Sequence, residues 1–437
     1  MQAPSPNGHD DIAELIRPAA VHRRVYTDPE IFALERERLF GRAWLYVGHE
    51  SQVANKGDFF TTELAGQPVI MVRHSDGAVH VLFNRCGHRG AKVVGERSGR
   101  TQAFVCSYHA WSFDTDGTLR HVPAHEGPRA GDFDMRDPCF SMRKLPRCES
   151  YRGFVFASLA AEGPDLRSYL GGVLARIDDM VNRAPDDELE VAGGCHKIVQ
   201  NSNWKIFLEN THDGLHPMST HKSSIDASRR QGRTLTGPPP FALNVIMANN
   251  QTLENMDKLS VHAFDWGHSY MAGFRNPRGE DDVFKDYVAA LEAKKGAKRA
   301  EEILSINCHN AVFYPNASVQ PSFLQMRVIF PISVDRTRIE MWFFRLKGAP
   351  EALFERTITY ANVVHSPSSL IRPDDVASYD RIQAGLAADG GEWVGQHRDL
   401  DRDEILNDGR RSSAISDLSM RNQYRAWLRF MSEDQAA

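Results

Sequence analysis

The stretch Cys86-Gly-His88, followed by Cys106-Ser-Tyr-His109, contains two short motifs that each pair one cysteine with one histidine. Seventeen residues separate the first motif from the second. Apolar runs precede both motifs, at Val79–Phe83 and Phe104–Val105, and favour β-strands, whereas the residues after each run are typical of loops. We therefore expect two ligand-bearing loops at strand ends, with the imidazole edges near the surface.

A mixed set of two thiolates and two imidazoles suits a two-iron cluster with unequal irons. A Rieske [2Fe–2S] centre has two Cys on one iron and two His on the other, which raises its potential above that of all-Cys clusters. Zn²⁺ also accepts two Cys and two His, but zinc fingers usually pair Cys with Cys and His with His along the chain. The motifs therefore predict a Rieske cluster on Cys86, His88, Cys106 and His109, with zinc as the alternative.

Length and composition are those of an ordinary globular protein. The chain has 437 residues, of which 41% are hydrophobic and 25% charged, enough for two or three domains with a sizeable core. The net charge of -5, without a Lys/Arg-rich face, gives no indication of nucleic-acid binding. No apolar run reaches the roughly 18 residues of a membrane span, and the N-terminus lacks the features of a secretory signal. We therefore expect a cytoplasmic protein that binds neither nucleic acid nor a membrane.

Three regions differ in their patterns. Residues 1–44 are predicted to form an N-terminal segment with one helix that packs on the third region. Residues 45–162 contain short apolar runs separated by Asp-Gly turns at 76–77 and 116–117, typical of an antiparallel β domain. Residues 163–437 alternate helices and strands, and we expect a helix-grip-like domain in which an antiparallel sheet surrounds the long helix expected at 281–304. The predicted fold class is α+β.

A second group of ligand candidates follows the predicted helix Asn203–Asp213. Two imidazoles and one carboxylate form the facial triad of non-haem Fe(II) oxygenases, and Asp213, His216 and His221 offer these groups close together. A regular helix would splay two histidines five residues apart, so we expect Pro217 to break the helix at His216. Surface or core histidines would give the same pattern. This group therefore indicates an iron site only in combination with the Rieske motif.

Taken in order, these motifs resemble the catalytic (large, α) subunit of a Rieske non-haem iron aromatic-ring-hydroxylating oxygenase. The resemblance covers the whole chain, including Asn203-Trp204-Lys205, Glu209-Asn210 and a late Asp374-Asp375. It implies that His216 and His221 are iron ligands, and that Asp375 matches the carboxylate ligand better than Asp374.

The same resemblance implies a catalytic role for Asp213, as a bridge between an iron-ligating histidine and a Rieske histidine of the neighbouring subunit. Orientation of the iron ligand alone is the alternative role. One cluster and one Fe(II) per chain are implied, in a homotrimer with or without a small subunit (α3β3). Because the chain has no dinucleotide or plant-type ferredoxin motif, we expect electrons from a separate NAD(P)H-dependent reductase, with or without a ferredoxin.

The implied function is a terminal oxygenase that hydroxylates an aromatic substrate with O₂. The four-residue step from Glu209 to Asp213 resembles members acting on benzoate, anthranilate or salicylate, so we expect an aromatic acid. A monooxygenase or an O- or N-demethylase on the same scaffold, and a zinc-stapled binding protein, stay open as alternatives. We expect a mostly apolar pocket, in which His262, His268 and Arg275 are either substrate contacts or structural residues. Its expected lining comes from 207–219, 241–247, 261–270, 311–323 and 362–371.

Overall fold

The structure of the protein is a computed structural model that describes residues 12–124, 133–248, 252–273 and 281–432. The chain divides into two compact units. Phe40–Leu166 form one of them, and the chain up to Leu39 forms the other together with everything from Arg167 onward. Within the described ranges, no helix is long and apolar enough to cross a membrane.

The N-terminal part begins with a short strand pair and then turns into helix. Asp28 caps the second helix through its side chain, which accepts from the N–H of Glu30, and Pro29 occupies the first turn, where proline is tolerated. The elements are β1 (Ile16–Arg17), β2 (Ala20–His22), α1 (Arg24–Thr27) and α2 (Pro29–Leu34).

The Phe40–Leu166 unit consists of three antiparallel sheets with the orders β6-β5-β4-β7, β10-β9-β8 and β11-β12-β3. Its strands are β3 (Leu45–His49), β4 (Asp58–Leu64), β5 (Gln67–Arg73), β6 (Val79–Phe83), β7 (Ser98–Arg100), β8 (Ala103–Val105), β9 (Ser112–Asp114), β10 (Leu119–His121), β11 (Arg147–Tyr151) and β12 (Phe154–Ser158). An antiparallel β domain was expected from the sequence, and this part of the fold is confirmed.

Both Asp-Gly turns close hairpins, β5–β6 and β9–β10, because their residues satisfy the turn chemistry. Gly77 and Gly117 have φ of 97° and 94°, a region that favours glycine. Asp76 Oδ1 accepts the N–H of Ala78 at 2.8 Å, and Asp116 Oδ1 accepts the N–H of Thr118 at 3.0 Å. These side chains fix the register of β5 and β6, which lead to the first cysteine–histidine motif, and of β9 and β10, which follow the second motif.

The larger unit contains a nine-stranded antiparallel sheet with the order β13-β19-β18-β17-β16-β15-β14-β22-β21, and β20 joins the small sheet of β1 and β2. Its strands are β13 (Leu189–Gln200), β14 (Ser260–Ala263), β15 (Ser269–Ala272), β16 (Cys308–Phe313), β17 (Ala317–Gln320), β18 (Gln325–Ser333), β19 (Arg336–Leu346), β20 (Trp393–Gly395), β21 (Glu404–Leu406) and β22 (Gly409–Ser413).

Helices cover this sheet: α5 packs against β16 and β18, α12 against β19, and α14 against β14. The segment 281–304 is interrupted at Gly296, whose φ is 82°, and forms two helices that pack on each other. The helices are α3 (Leu166–Leu170), α4 (Ala175–Val181), α5 (Trp204–Thr211), α6 (His216–Thr220), α7 (Lys222–Thr234), α8 (Phe241–Ala248), α9 (Leu253–Asp257), α10 (Asp282–Lys295), α11 (Ala297–Ser305), α12 (Glu351–Val364), α13 (Arg372–Leu386) and α14 (Leu418–Met431). The fold is α+β, as predicted.

A fully buried carboxylate, that of Glu35, holds the start of α5 in position. Its Oε1 accepts from Lys205 Nζ at 2.5 Å and from Trp427 Nε1 at 2.7 Å, and its Oε2 accepts from Trp204 Nε1 at 2.8 Å. Three donors compensate the buried negative charge, as a buried ion requires. The N-terminal segment, α5 and α14 are thereby joined at the helix that leads into the candidate iron site.

Candidate metal centres

The two cysteine–histidine loops have the same backbone hydrogen-bond pattern. The N–H of Cys86 donates to the carbonyl of Ala91 at 2.8 Å, and the N–H of Gly90 donates to the carbonyl of Cys86 at 3.0 Å. The second loop repeats both bonds, at 2.8 and 2.9 Å, with the residues five and four positions after Cys106. Gly90 and its counterpart Ala110 both have positive φ, 75° and 56°. The two loops therefore present the two cysteine–histidine pairs in the same backbone geometry.

The side chains of these loops separate by type. Both cysteines are buried, at 2% exposure each, while His88 is exposed and His109 is half-buried. The ring centroids of His88 and His109 lie 4.8 Å apart. Two inner thiols and two outer imidazoles fit a cluster with a sulfur-bound iron inside and a nitrogen-bound iron at the surface.

Trp111 and Gly87 shape the first loop. The indole of Trp111 stacks on the His88 ring, with 4.6 Å between centroids and 5° between planes, which restricts the orientation of that imidazole. At Gly87, an added Cβ would lie 2.1 Å from the carbonyl oxygen of Phe140. No side chain fits there, so the close approach of the two backbones requires glycine.

In the larger unit, His216 and His221 lie at the two ends of a short helix. Helix α5 ends at Thr211, and α6 begins at His216 with Pro217 in its first turn. The expectation that Pro217 breaks a helix at His216 is wrong: proline is compatible with a first turn because that N–H needs no intrahelical acceptor. The chain instead leaves helical geometry at His221, with φ of -97° and ψ of 8°. This break brings the ring centroids of the two histidines to 5.4 Å.

Asp375, in the first turn of α13, completes a group of three ligand candidates. One ligand atom from each of His216, His221 and Asp375 lies within 4.8 Å of the others. Asp375 Oδ1 is 3.2 Å from His221 Nε2 and 3.7 Å from His216 Nε2. This oxygen is buried and has no hydrogen-bond partner of its own among the described residues. Two imidazole nitrogens facing a buried, unpartnered carboxylate oxygen fit a dication with nitrogen and oxygen ligands.

The opposite nitrogens of the two rings are held by other groups. His216 Nδ1 donates to the carbonyl oxygen of Asp213 at 2.8 Å, which leaves the lone pair on Nε2. His221 Nδ1 lies 3.4 Å from Oδ2 of Asp374. Such contacts fix the tautomer and the orientation of a metal-binding imidazole. The adjacent aspartates Asp374 and Asp375 therefore face opposite sides of the same histidine.

Burial and charge shift the acid–base properties of these groups in different directions. Burial lowers the pKa of His216. Burial acts in the same direction on His221, but the carboxylates of Asp375 and Asp374 outweigh it and raise the pKa of that ring. Burial alone would raise the pKa of Asp375, yet His221 and the Arg372 guanidinium outweigh it and hold the pKa below its usual value. The carboxylate is therefore ionised and ready to bind a cation.

Asp213 contacts His216 through its main chain rather than its side chain. Its Oδ1 accepts the N–H of Leu215 at 2.8 Å and lies 3.5 Å from Nη2 of Arg398. Arg398 also donates from Nε to Asp417 Oδ1 at 2.8 Å. The carboxylate is part of a local ion network and remains partly exposed, with 26% side-chain accessibility. Sequence reasoning did not identify Arg398, because the arginine is distant in the chain and belongs to no motif.

Glu209, one turn before Asp213, is a half-buried acid between two tyrosines. Tyr26 donates to Glu209 Oε1 at 2.8 Å, and Tyr424 donates to the same oxygen. Burial raises the pKa of Glu209 to about 7, against the lowering effect of both tyrosines. On the next residue, Asn210 Oδ1 accepts from Tyr379 of α13 at 2.8 Å. These contacts tie α5 to the N-terminal segment, α14 and α13, the helix that carries Asp375.

A pocket opens beside His216, His221 and Asp375. Its empty space, including the part open to solvent, is about 780 Å³. The other residues of its lining are Asn210, Thr211, Asp213, Gly214, Pro217, Met218, Met256, Met271, His309, Asn310, Gln320, Arg327, Tyr360, Val364, His365, Ile371 and Arg372. Many of these side chains are polar, so the expectation of a mostly apolar lining is wrong.

The segments predicted to line the pocket contribute unequally. Residues from 207–219, 311–323 and 362–371 are present, whereas 241–247 and 261–270 supply none of the described lining. His262 contacts the hydroxyl of Ser260 at 3.1 Å, and His268 Nδ1 accepts the N–H of Tyr314 at 3.0 Å. Both have structural partners outside the pocket, and Arg275 lies outside the described residues. Sequence reasoning missed Arg327, although an arginine within the apolar run 326–330 was a signal.

Comparison with known proteins gives matches over both units. Residues 43–142 match the family described as the Rieske [2Fe-2S] domain. Residues 187–433 match the catalytic domain of the ring-hydroxylating α subunits. The second match covers more than half of the chain and includes all three ligand candidates of the larger unit.

Individual relatives agree with these families. The chain is 32% identical to the α subunit of toluate 1,2-dioxygenase from Pseudomonas putida, over 84% of this chain and 79% of that protein. It is 30% identical to the large subunit of anthranilate 1,2-dioxygenase from Acinetobacter baylyi, over 85% and 79%. A solved structure of naphthalene 1,2-dioxygenase with indole bound has the same fold, with a TM-score of 0.80 at 24% identity over 96% and 93% of the two chains. The chain therefore belongs to the ring-hydroxylating oxygenases, as a catalytic α subunit whose cofactors are a Rieske [2Fe–2S] cluster and a non-haem iron.

Proposed function

We propose that the chain catalyses the dihydroxylation of an aromatic acid by O₂. The observation that carries this proposal is the convergence of His216, His221 and Asp375 within 4.8 Å, in the wall of a pocket. Two imidazoles and a carboxylate leave part of an iron's coordination shell open for O₂. In this proposal these three residues hold the mononuclear iron.

Cys86, His88, Cys106 and His109 are the proposed ligands of the cluster. When bound, the cluster supplies single electrons and the mononuclear iron supplies O₂ activation. The protein's own groups prepare the iron site. The carbonyl of Asp213 holds the proton of His216 on Nδ1, so that Nε2 is available as a ligand. Arg372, 3.5 Å from Asp375 Oδ2, helps to keep that carboxylate ionised.

An aromatic acid is favoured by two similarities. Toluate 1,2-dioxygenase and anthranilate 1,2-dioxygenase, whose names state benzoate-type substrates, are among the relatives. The four-residue step from Glu209 to Asp213 is the spacing expected for that subgroup. The number of oxygen atoms transferred depends on the position of the substrate over the iron, so monooxygenation is the outcome against which dihydroxylation is tested.

Electrons come from outside the chain in this proposal. A separate NAD(P)H-dependent reductase, with or without a ferredoxin, reduces the cluster. The working assembly is a homotrimer, with or without a small subunit in an α3β3 complex, in the cytoplasm. Asp213 links the iron site of one chain to the cluster of its neighbour.

The test is a product analysis with the purified protein, a surrogate reductase and NADH. We expect stoichiometric iron and acid-labile sulfide, and the reduced-state EPR signal of a Rieske cluster. With benzoate, toluate or anthranilate and isotopically labelled O₂, both labelled atoms should appear in one product molecule. Incorporation of a single labelled oxygen atom into the product would show monooxygenation instead of dihydroxylation. A colourless protein with stoichiometric zinc and no sulfide would refute it.

A further inference from the structure

An arginine in the wall of the iron pocket forms no ion pair with any acid that the structure describes. Arg327 belongs to β18, an interior strand of the nine-stranded sheet, and is only 5% exposed. Strand β18 is otherwise apolar from Met326 to Phe330, and a charged side chain within such a run has to be compensated or costs stability.

The acids of the pocket are already engaged with other arginines. Among the pocket residues that the structure describes, the acids are Asp213 and Asp375. Oδ2 of Asp375 lies 3.5 Å from Nη1 of Arg372, three residues earlier in α13. Asp213 Oδ1 lies 3.5 Å from Nη2 of Arg398. Both carboxylates thus have a cation of their own, and a metal ion bound by Asp375 would add further positive charge.

Arg327 has no such partner. No ion pair or side-chain hydrogen bond joins it to any residue in the described ranges, and its Nε is buried and unpartnered. The charged and polar groups that influence it are Arg372, Tyr360, Tyr379 and, more weakly, the carboxylate of Asp375, which makes no ion pair with it. Burial lowers the pKa of Arg327 to about 9, so the guanidinium remains protonated at neutral pH. An isolated buried cation is expensive, which indicates that an anion occupies the pocket during function.

The pocket around Arg327 has the features that an aromatic carboxylate needs. A guanidinium is planar and offers parallel N–H donors that match the two oxygens of a carboxylate. The Nε2 atom of His365, another lining residue, is also buried without a partner in the described chain. Met256, Met271 and Val364 supply apolar surface in the same pocket, suited to the faces of a ring.

We propose that Arg327 is the anchor that binds the carboxylate of the substrate in the iron pocket, and that it sets the preference of this enzyme for aromatic monocarboxylic acids over neutral arenes. This inference rests on the proposed function of that pocket. It adds a specificity-determining residue whose role is binding, and binding can be measured apart from oxygenation.

The test compares Arg327→Met and Arg327→Lys with the unmodified holoenzyme, using benzoate and its neutral counterpart benzamide as probes in calorimetric titrations. Arg327→Met should bind benzoate roughly 10- to 100-fold more weakly, the loss expected for a charge-assisted hydrogen-bond pair. The benzoate affinity of Arg327→Lys should lie between those of the unmodified protein and Arg327→Met, because lysine keeps the charge but not the planar pair of donors. Benzamide affinity should change little in either variant.

Arg345→Met is the matched control, since Arg345 lies on the neighbouring strand β19 and pairs with Glu190 and Glu351 outside the pocket. It should bind benzoate as the unmodified protein does. Thermal unfolding separates binding from a structural role. Without ligand, Arg327→Met should melt no lower than the unmodified protein, because it removes a buried charge that forms no ion pair with any described acid. Saturating benzoate should raise the melting temperature of the unmodified protein far more than that of Arg327→Met.

Benzoate affinity that is equal in the unmodified protein and both Arg327 variants would overturn the proposal. The proposal would also be overturned if Arg327→Met melted at a lower temperature and Arg327→Lys bound benzoate as strongly as the unmodified protein. Arg327 would then have a structural role. If benzoate binds through Arg327 but no acid is oxygenated, the anchor stands and the proposed reaction fails. If neutral arenes are oxygenated and benzoate does not bind, the reaction class stands and the anchor fails.

Discussion

Nδ1 of His221 lies 3.4 Å from Oδ2 of Asp374, on the side of the imidazole ring that faces away from the candidate iron site. The Nε2 atom of the same ring faces Oδ1 of Asp375 at 3.2 Å. Consecutive residues of one helix thus contact the two nitrogens of a single histidine. This geometry gives the two neighbouring carboxylates different roles, one inside the group of ligand candidates and one behind it.

Replacing each aspartate alone separates these roles. Asp375→Ala should lose the mononuclear iron and all oxygenation while the red-brown cluster persists, because the cluster ligands belong to the other unit. Asp374→Ala should keep the ligand set and weaken iron binding or activity by about 10- to 100-fold, as for partners of a metal-binding histidine. Iron per chain, measured beside acid-labile sulfide, gives the result. Full iron content in Asp375→Ala would transfer the ligand role to another carboxylate.

Gly87 should be required for cluster assembly because the loop has no room for a side chain at this position. An added Cβ would lie 2.1 Å from a backbone oxygen at Gly87, whereas at Gly95 nothing lies within 4 Å. Gly87→Ala should therefore displace the Cys86–His88 loop and lower cluster content, and Gly95→Ala should leave it unchanged. Visible absorption and sulfide content measure the difference. Equal cluster content in the two variants would contradict the packing argument.

Asp213→Ala should leave both metal sites loaded but slow electron transfer between them, by about 10- to 100-fold or more. Asp213→Asn should be nearly as damaging, because an amide cannot accept hydrogen bonds as a carboxylate does. Oxidation of the reduced cluster after rapid mixing with O₂ and substrate is the measurement. Asp226→Asn, which changes an exposed aspartate paired with Lys222, is the control. A monomer in dilute solution that turns over at full rate would refute the inter-subunit link.

Glu209 should make stability depend on pH. Its pKa is raised from 4.5 to about 7 by burial, so the protonated acid stabilises the fold. That contribution is full below a pH of about 4.5 and is lost as the pH rises through about 7. Between about pH 5.5 and pH 8 the unmodified protein should lose about 2 kcal/mol relative to Glu209→Gln. Urea unfolding of both proteins across this range measures the difference, and parallel pH profiles would contradict the assignment.

Removing the Glu35 carboxylate should destabilise the larger unit strongly. Glu35→Ala leaves the ammonium of Lys205 buried without its partner at 2.5 Å, a change that costs about 3–5 kcal/mol of unfolding free energy. The double variant Glu35→Met with Lys205→Met removes both charges and should cost less than the single change. Denaturant unfolding of the three proteins tests this. A double variant less stable than Glu35→Ala would show that the charges stabilise the fold as a pair.

Local patterns in the sequence were sufficient to predict features that depend on neighbouring residues. The hairpins at Asp76-Gly77 and Asp116-Gly117 depend on the residues of a four-residue turn. The start of α2 at Asp28-Pro29 likewise depends on neighbouring groups. The spacing of Cys86, His88, Cys106 and His109 indicated a Rieske cluster, because mixed ligand pairs are specific to few metals.

Pro217 shows where a local rule was insufficient. Proline disfavours a helix interior but suits a first turn, and the sequence alone did not reveal which position it would occupy. The position of Pro217 within a helix depends on where α5 ends. That end depends on contacts of Glu209 and Asn210 with residues more than 150 positions away. The break that matters occurs at His221, five residues after His216.

By itself the sequence determined which residue types could hold metals and which family pattern they resemble, since spacing and residue chemistry are properties of the chain. Only the tertiary structure brought Asp375 to His221 and His216, which lie 154 and 159 residues earlier, with Asp374 on the far side of the His221 ring. It alone also revealed that Arg327 is buried without an ion pair to any described acid. Long-range packing decides such pairings, because the free energy of a buried charge depends on what the whole fold gathers around it.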